Sequence, residues 1–170
     1  GGVLLDRNPF KGFKAPREKN PRRPELTEEE YEALRAVIPK MDWRFGVAMI
    51  LAHETGHRIG AIRKLRWSDI SYDEDGGWIT WRAENDKLRK AHRTPLTEAA
   101  EEALKVARAK KPGVGEAYIL PSVRDDSRPV GKYFMRDLWH RAETEAGVKR
   151  VKGRGWHACR RKFASELMGE

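Results

Sequence analysis

Four side chains that suit chemistry on a phosphodiester occur in three separate stretches of the sequence. Arg58 follows a glycine that favours a helix end, Lys87 lies in a polar stretch, and His157 and Arg160 are three residues apart. An arginine donates two hydrogen bonds to two phosphate oxygens through one planar guanidinium. A lysine or a histidine transfers protons once its pKa moves toward neutrality. Since no carboxylate cluster of the metal-binding kind accompanies them, the pattern suits a reaction that uses no metal ion.

Such a reaction has four requirements when it breaks a DNA strand. A nucleophile attacks phosphorus, the charge on the non-bridging oxygens is stabilised, a base assists the nucleophile, and an acid protonates the leaving 5′-oxygen. Arginines serve the second requirement, and lysine or histidine serves the last two.

The elements that must position these residues are mainly helices. Thr27 and Glu30 form the sequence pattern of a capping box, which predicts the start of a helix. Tyr31, Leu34 and Ile38 are spaced so that they give this helix one apolar face. Apolar spacing and end signals predict further helices over about residues 42–54, 58–66, 97–110, 131–146 and from about 157 onward.

Two segments of strand composition, residues 78–81 and 92–96, flank the polar stretch 85–90. They predict an antiparallel hairpin with Lys87 at its tip. The expected fold class is therefore α+β and mainly α, a helical bundle with a small antiparallel β-sheet.

Composition indicates a polyanionic partner. The net charge is +9 over 170 residues, and 36% of residues are charged, but 39% hydrophobic residues with six tryptophans exclude a disordered chain. The single cysteine, Cys159, favours a reducing compartment and is expected to be a small buried hydrophobe. No apolar run reaches the length of a membrane span, so a cytoplasmic location and no membrane partner are expected.

Basic residues concentrate in two segments. Residues 1–24 hold four prolines and an excess of cations, which predicts an extended interdomain linker before a domain over residues 25–170. Residues 147–163 hold seven cations and no acidic residue, which predicts contact with a duplex backbone. The residues expected to contact DNA are Arg63, Lys90, Lys152, Arg154 and Arg161.

The wording of the motifs resembles the catalytic domain of tyrosine recombinases, the phage-integrase family. Thr55-Gly56-His57-Arg58-Ile59 and Leu65-Arg66-Trp67-Ser68-Asp69 look like its first arginine motif, and His157-Ala158-Cys159-Arg160 looks like its second. The family's hairpin lysine usually lies eight residues before a proline, here Pro95, which selects Lys87. The resemblance implies that Arg58 and Arg160 clamp the phosphate, His157 assists proton transfer at the nucleophile, and Lys87 protonates the 5′-oxygen.

The family's nucleophile is a tyrosine that follows the second arginine, and here the sequence ends ten residues after Arg160. All four tyrosines precede that motif, and Tyr31 and Tyr133 are expected to be partly buried on helices. We therefore expect this stretch of sequence to bind DNA without forming a covalent intermediate.

For the parent protein, the resemblance implies site-specific recombination or integration through a 3′-phosphotyrosyl intermediate, as in phage or prophage integrases. It implies double-stranded DNA as partner, a tetramer on DNA, room for an accessory DNA-bending protein, no cofactor or metal, and a bacterial or phage-infected cell.

Three alternatives stay open. One is a non-catalytic DNA-binding protein that keeps the fold, although a decayed site should lose its arginines first. A second is a general module that binds RNA or DNA by charge, which would need no ordered series of Arg, Lys, His and Arg. A third is a type IB topoisomerase, which shares this chemistry within the wider superfamily.

Overall fold

The structure is a computed structural model that describes residues 24–169. Nearly all of the predicted linker, residues 1–23, lies outside the described residues. Within the described part, six α-helices enclose a core beside one three-stranded sheet. The helices are α1 (Glu28–Ala36), α2 (Trp43–Thr55), α3 (Ile59–Ile62), α4 (Glu98–Lys110), α5 (Lys132–Ala146) and α6 (His157–Met168), and the strands are β1 (Ile70–Asp73), β2 (Gly76–Trp81) and β3 (His92–Pro95). The predicted fold class, mainly helical α+β with a small antiparallel sheet, is confirmed.

Helix α2 occupies the centre of the bundle and packs against α4, α5 and α6. The Asp42 carboxylate caps its first turn by accepting from the Arg44 amide at 2.9 Å. Nine of its residues are buried, as expected for a helix that is apolar on nearly all sides. Gly56 ends it with a φ of 67°, in the left-handed region that a glycine adopts without steric cost.

Helix α3 is shorter than the sequence indicated. The prediction of a helix over 58–66 was wrong beyond Ile62, because the backbone that follows pairs with a distant segment. The Trp67 amide donates to the Ala117 carbonyl and the Ile119 amide donates to the Leu65 carbonyl, each at 3.0 Å. Such long-range hydrogen bonds override a local helical pattern.

The sheet has the order β1-β2-β3 and is antiparallel throughout. Strand β1 is largely exposed and carries no apolar alternation, so the sequence pattern did not reveal it. In the β2–β3 pair, Trp81 lies opposite His92. The connection between them, residues 82–91, therefore emerges directly from this residue pair and carries Lys87.

Charged contacts join α1 to α6 and to the loop that precedes α6. The capping box at Thr27 is confirmed, with the Glu30 amide donating to Thr27 Oγ1 at 3.1 Å. The side-chain carboxylate of Glu30 accepts a hydrogen bond from Arg154 Nη1 at 2.8 Å, and the Glu28 carboxylate accepts one from Lys162 Nζ. We refer to these two ion pairs as the end clasp.

Candidate active site

Three of the four predicted catalytic residues line one open pocket. Arg58, His157 and Arg160, with Arg161 and Ala164, surround a volume of about 340 Å³. Arg58 enters from the extended backbone just before α3, and the other residues come from the first two turns of α6. Since His157 and Arg160 are three residues apart on one helix, they lie on the same side of it, as the sequence predicted.

The electrostatics of this pocket suit an anion. Burial is the main cause that lowers the pKa of the Arg160 guanidinium below its usual range, and the neighbouring Arg58 lowers it further. Since arginine carries a positive charge in proteins, the pocket holds two like charges that act on each other. A bound phosphate would relieve that repulsion and replace the lost solvation with charge-assisted hydrogen bonds.

Lys87 does not line the pocket. It is exposed on the 82–91 connection, whose Asp86 acts electrostatically on both Arg160 and His57. The Asp86 carboxylate also accepts from the Lys90 amide at 3.2 Å, which orders the turn that carries Lys87. The structure thus places the connection next to the pocket, with the lysine at its outer side.

A second basic pocket adjoins the first and shares His157 with it. Its volume is about 620 Å³, and its lining includes the cations Lys132, Arg136, Arg150, Lys152 and Arg154. Sequence reasoning missed Lys132 and Arg136, which belong to α5. Residues four apart on a helix lie on the same face, so their spacing could have identified them as a pair. The apolar periodicity of α5 instead indicated the buried face on its other side.

The residues predicted to contact DNA divide into two groups. Lys152 and Lys90 are exposed and accessible to a phosphate backbone. Arg154 is only 5% exposed, and its guanidinium donates to Glu30 and to the Lys149 carbonyl. The Arg154 guanidinium is thus engaged in contacts within the protein, which disfavours its predicted role in contacting DNA.

Arg63 and Arg161 are half-buried, between the exposed lysines and the buried Arg154. Arg63 donates to the Val130 carbonyl at 3.0 Å, and Arg161 donates through Nη2 to the Pro24 carbonyl at 2.8 Å. Both side chains therefore hold parts of the protein together, and Arg161 also lines the arginine pocket.

A cluster of two histidines and a tryptophan lies at the root of the Lys87 connection, and no sequence motif indicates it. The His57 ring stacks on Trp81 with centroids 3.7 Å apart and planes 5° from parallel. His57 Nε2 and His92 Nε2 are 2.8 Å apart. Burial chiefly lowers the pKa of His57 to about 4, with further lowering by His92 and Arg160, while a hydrogen bond to the Thr55 carbonyl raises it.

The remaining nucleophile candidates lie away from the pocket. Cys159 is fully buried, so the expectation of a small buried hydrophobe is confirmed, and burial raises the pKa of its thiol to about 12. Tyr31 is buried, but Tyr133 is 60% exposed, so its predicted burial was wrong. Tyr133 lies on the outer side of α5 between Lys132 and Arg136, whose charges both lie over its ring. None of the tyrosines in the described part of the chain lines the arginine pocket.

Among the described residues, no group of three His, Cys, Asp or Glu side chains is arranged to hold a metal ion. None of their helices combines the length and the apolar character needed to cross a membrane.

Comparison with known proteins gives one family and one fold. The sequence model of the phage integrase family matches residues 24–170. No curated protein matches the sequence at a significant level. Among solved structures, the lambda integrase catalytic core superposes with a TM-score of 0.69 at 22% identity, covering 86% of this chain and 84% of that one.

Two solved structures of recombinases bound to DNA are also similar to this chain. XerH site-specific recombinase bound to its difH substrate, in a pre-cleavage complex, gives a TM-score of 0.66 at 21% identity and covers 85% of this chain. A lambda integrase tetramer bound to a Holliday junction gives 0.68 at 23% identity and covers 91% of this chain. The present chain spans 42% of the XerH chain and 45% of that lambda integrase chain.

Proposed function

The chain belongs to the phage integrase family, and from this we propose that it is the phosphate-activating part of a site-specific DNA recombinase. The observation that carries the proposal is the pocket that brings Arg58, His157 and Arg160 together from two elements about a hundred residues apart in sequence. A surface that bound nucleic acid by charge alone would need cations, but it would not need two arginines and a histidine converging on one small volume.

The proposed reaction is a transesterification. A tyrosine oxygen attacks phosphorus, the bond from phosphorus to the 5′-oxygen breaks, and the 3′-phosphate stays bound to the tyrosine. Arg58 and Arg160 stabilise the charge on the two non-bridging oxygens. His157 assists the transfer of the tyrosine proton, and Lys87 gives a proton to the departing 5′-oxygen. Attack by the freed 5′-hydroxyl of another strand then reverses these steps, which joins the strands in a new order.

The DNA duplex is proposed to extend from the arginine pocket across the second basic pocket. Lys132, Arg136, Arg150 and Lys152 lie there with His157 at the junction, so one phosphate backbone could follow both. Contacts of this kind hold the duplex in register and carry little sequence information. The lambda integrase relative forms a tetramer on a Holliday junction, and we propose the same assembly for this protein when it integrates or excises phage or prophage DNA.

Covalent capture tests the proposal. The full-length gene product is incubated with a random library of nicked duplexes, and DNA that stays attached to protein in denaturant is sequenced. We expect one recovered site, with the protein end of the adduct at a tyrosine and no adduct from Arg58→Ala. Capture that proceeds equally well without Arg58, or an adduct at a residue other than tyrosine, would contradict the assignment.

A second candidate function is a non-catalytic DNA-binding protein on the same scaffold. It is favoured by one observation, that no tyrosine of the described residues lines the arginine pocket. On this alternative the full-length product would bind duplex DNA with strong salt dependence and give no adduct at all. Competition between duplex DNA and duplex RNA then separates it from a module that binds either polymer by charge.

A further inference from the structure

The two histidines at the root of the Lys87 connection form a chain of contacts at hydrogen-bond distance. His57 Nδ1 lies 2.9 Å from the Thr55 carbonyl oxygen, and His92 Nδ1 lies 3.1 Å from the Lys90 carbonyl oxygen. Because a carbonyl oxygen only accepts, each Nδ1 donates to its carbonyl when it carries the ring proton. The two Nε2 atoms lie 2.8 Å apart, within hydrogen-bond distance of each other.

The chain of contacts therefore runs from the Thr55 carbonyl oxygen through the His57 and His92 rings to the Lys90 carbonyl oxygen. It joins the backbone just before Arg58 to the first residue of β3. Arg160 and Asp86 are the charged groups that act on His57 from the neighbouring elements.

This chain of bonds connects two parts of the proposed site. His57 directly precedes Arg58, and its ring covers Trp81, the last residue of β2. His92 is the first residue of β3 and pairs with Trp81 across the sheet. Both ends of the 82–91 connection are thus fastened to the backbone that presents Arg58, while Lys87 at its outer side is exposed.

We propose that His57 and His92 are positioning residues, which hold the Lys87 connection beside the arginine pocket so that the lysine reaches the leaving oxygen. The proposal rests on the function proposed above and adds two residues to it. Neither histidine touches the phosphate in this role. Their effect on cleavage passes through Lys87 and its delivery of a proton.

A change of leaving atom tests this route. Two duplexes carry the captured site, one with the ordinary 5′-oxygen at the scissile phosphate and one with sulfur in that position. Breaking the bond from phosphorus to sulfur releases a thiolate, which leaves without a proton because the pKa of a thiol is far below that of an alcohol. A defect in proton delivery therefore disappears with the sulfur substrate, whereas a defect in phosphate stabilisation remains.

The variants are His92→Leu, His57→Phe, Lys87→Ala and Arg58→Ala in the full-length gene product, with Arg93→Leu as a matched control. Arg93 is the next residue of β3, so it faces the opposite side of the sheet, where it pairs with Asp73. His92→Gln is the conservative variant, since its amide N–H₂ can still donate to His57. Thermal melting of each variant shows that it is folded.

We expect His92→Leu and His57→Phe to slow cleavage of the oxygen substrate by a sizeable part of the ~10²–10⁴-fold that a general acid supplies. The sulfur substrate should restore both to within a few-fold of wild type, as it does for Lys87→Ala, and Arg58→Ala should stay slow. His92→Gln should recover part of the rate on the oxygen substrate. A histidine defect that sulfur does not relieve would overturn the inference, and so would wild-type rates in both histidine variants. If the wild-type protein cleaves neither substrate, the proposed function fails and the inference fails with it.

Discussion

The ring of Phe163 occupies the space that a side chain on Gly56 would need. A Cβ added to Gly56 would come within 2.3 Å of Phe163 Cδ1, far inside van der Waals contact. Gly56 ends α2 and Phe163 belongs to α6, so the close approach joins the backbone before Arg58 to the helix that carries Arg160. The glycine of the first arginine motif thus serves both the turn and the packing that bring the two arginines into one pocket.

Gly56→Ala should therefore destabilise the protein more than Gly147→Ala. Both glycines have a φ of 67°, so each substitution incurs about 1–2 kcal/mol for a left-handed alanine. Only Gly56 meets a neighbour, and overpacking typically adds about 1–3 kcal/mol. Urea unfolding of the two variants measures the difference. Equal losses would show that Phe163 moves aside at no cost.

Removing either arginine of the pocket should reduce the rate of strand cleavage much more than DNA affinity. Arg58→Ala and Arg160→Ala should each lower single-turnover cleavage by about 10²–10³-fold, the usual effect of one lost donor to transition-state charge. Binding should weaken little, because the proposed DNA-binding surface holds many other cations. Arg124→Ala, an exposed arginine that lines neither basic pocket, is the control and should change neither quantity.

Lys152 and Arg154 should behave oppositely although they are two residues apart in sequence. Arg154→Ala removes the buried partner of the partly exposed Glu30, and losing a hydrogen bond to a charged group costs about 1.5–3 kcal/mol of stability. Lys152→Ala should leave stability nearly unchanged and lower the slope of log affinity against log salt by about 1. Denaturant unfolding and salt titrations of DNA binding, made on both variants, give the comparison. A salt slope that changes only in Arg154→Ala would reverse this assignment.

Acid should destabilise the wild-type protein through His57. Its pKa falls to about 4 in the folded protein, below the ordinary value of 6.5. Between these values the unfolded chain binds a proton that the folded protein does not, so stability decreases as the pH falls through that window. His57→Phe keeps a ring against Trp81 and removes the titration. Its melting temperature should therefore drop less than that of wild type between pH 7 and pH 4.5, and an equal drop would contradict the assignment.

Residues 1–170 expressed alone should bind duplex DNA but form no covalent adduct. The reason is that no tyrosine of the described residues lies in the arginine pocket. A filter-binding titration measures the affinity, and a denaturing gel with a nicked duplex detects any adduct. An adduct that depends on Arg58 would show that one of the present tyrosines reaches the phosphate.

The parts of the site that are local in sequence could be predicted, and the parts that depend on distant partners could not. His157 and Arg160 share a helical face because of their spacing, and the glycine before Arg58 marks a helix end, so both motifs were recognisable. Lys152 and Arg154 have the same charge and are two residues apart in sequence, yet the ion pair with Glu30, more than a hundred residues away, makes Arg154 structural. His57 likewise acquires its role only from Trp81 and His92, which the sheet brings to it.

The end clasp has a mechanical consequence. It ties Glu28 and Glu30, near one limit of the described chain, to Arg154 and Lys162, near the other. Tension applied at residues 24 and 169 is therefore borne by these ionic contacts before it reaches α2. Before α6 separates from α1 under such tension, the ion pair between Glu28 and Lys162 has to break, and α6 is the helix that carries His157 and Arg160.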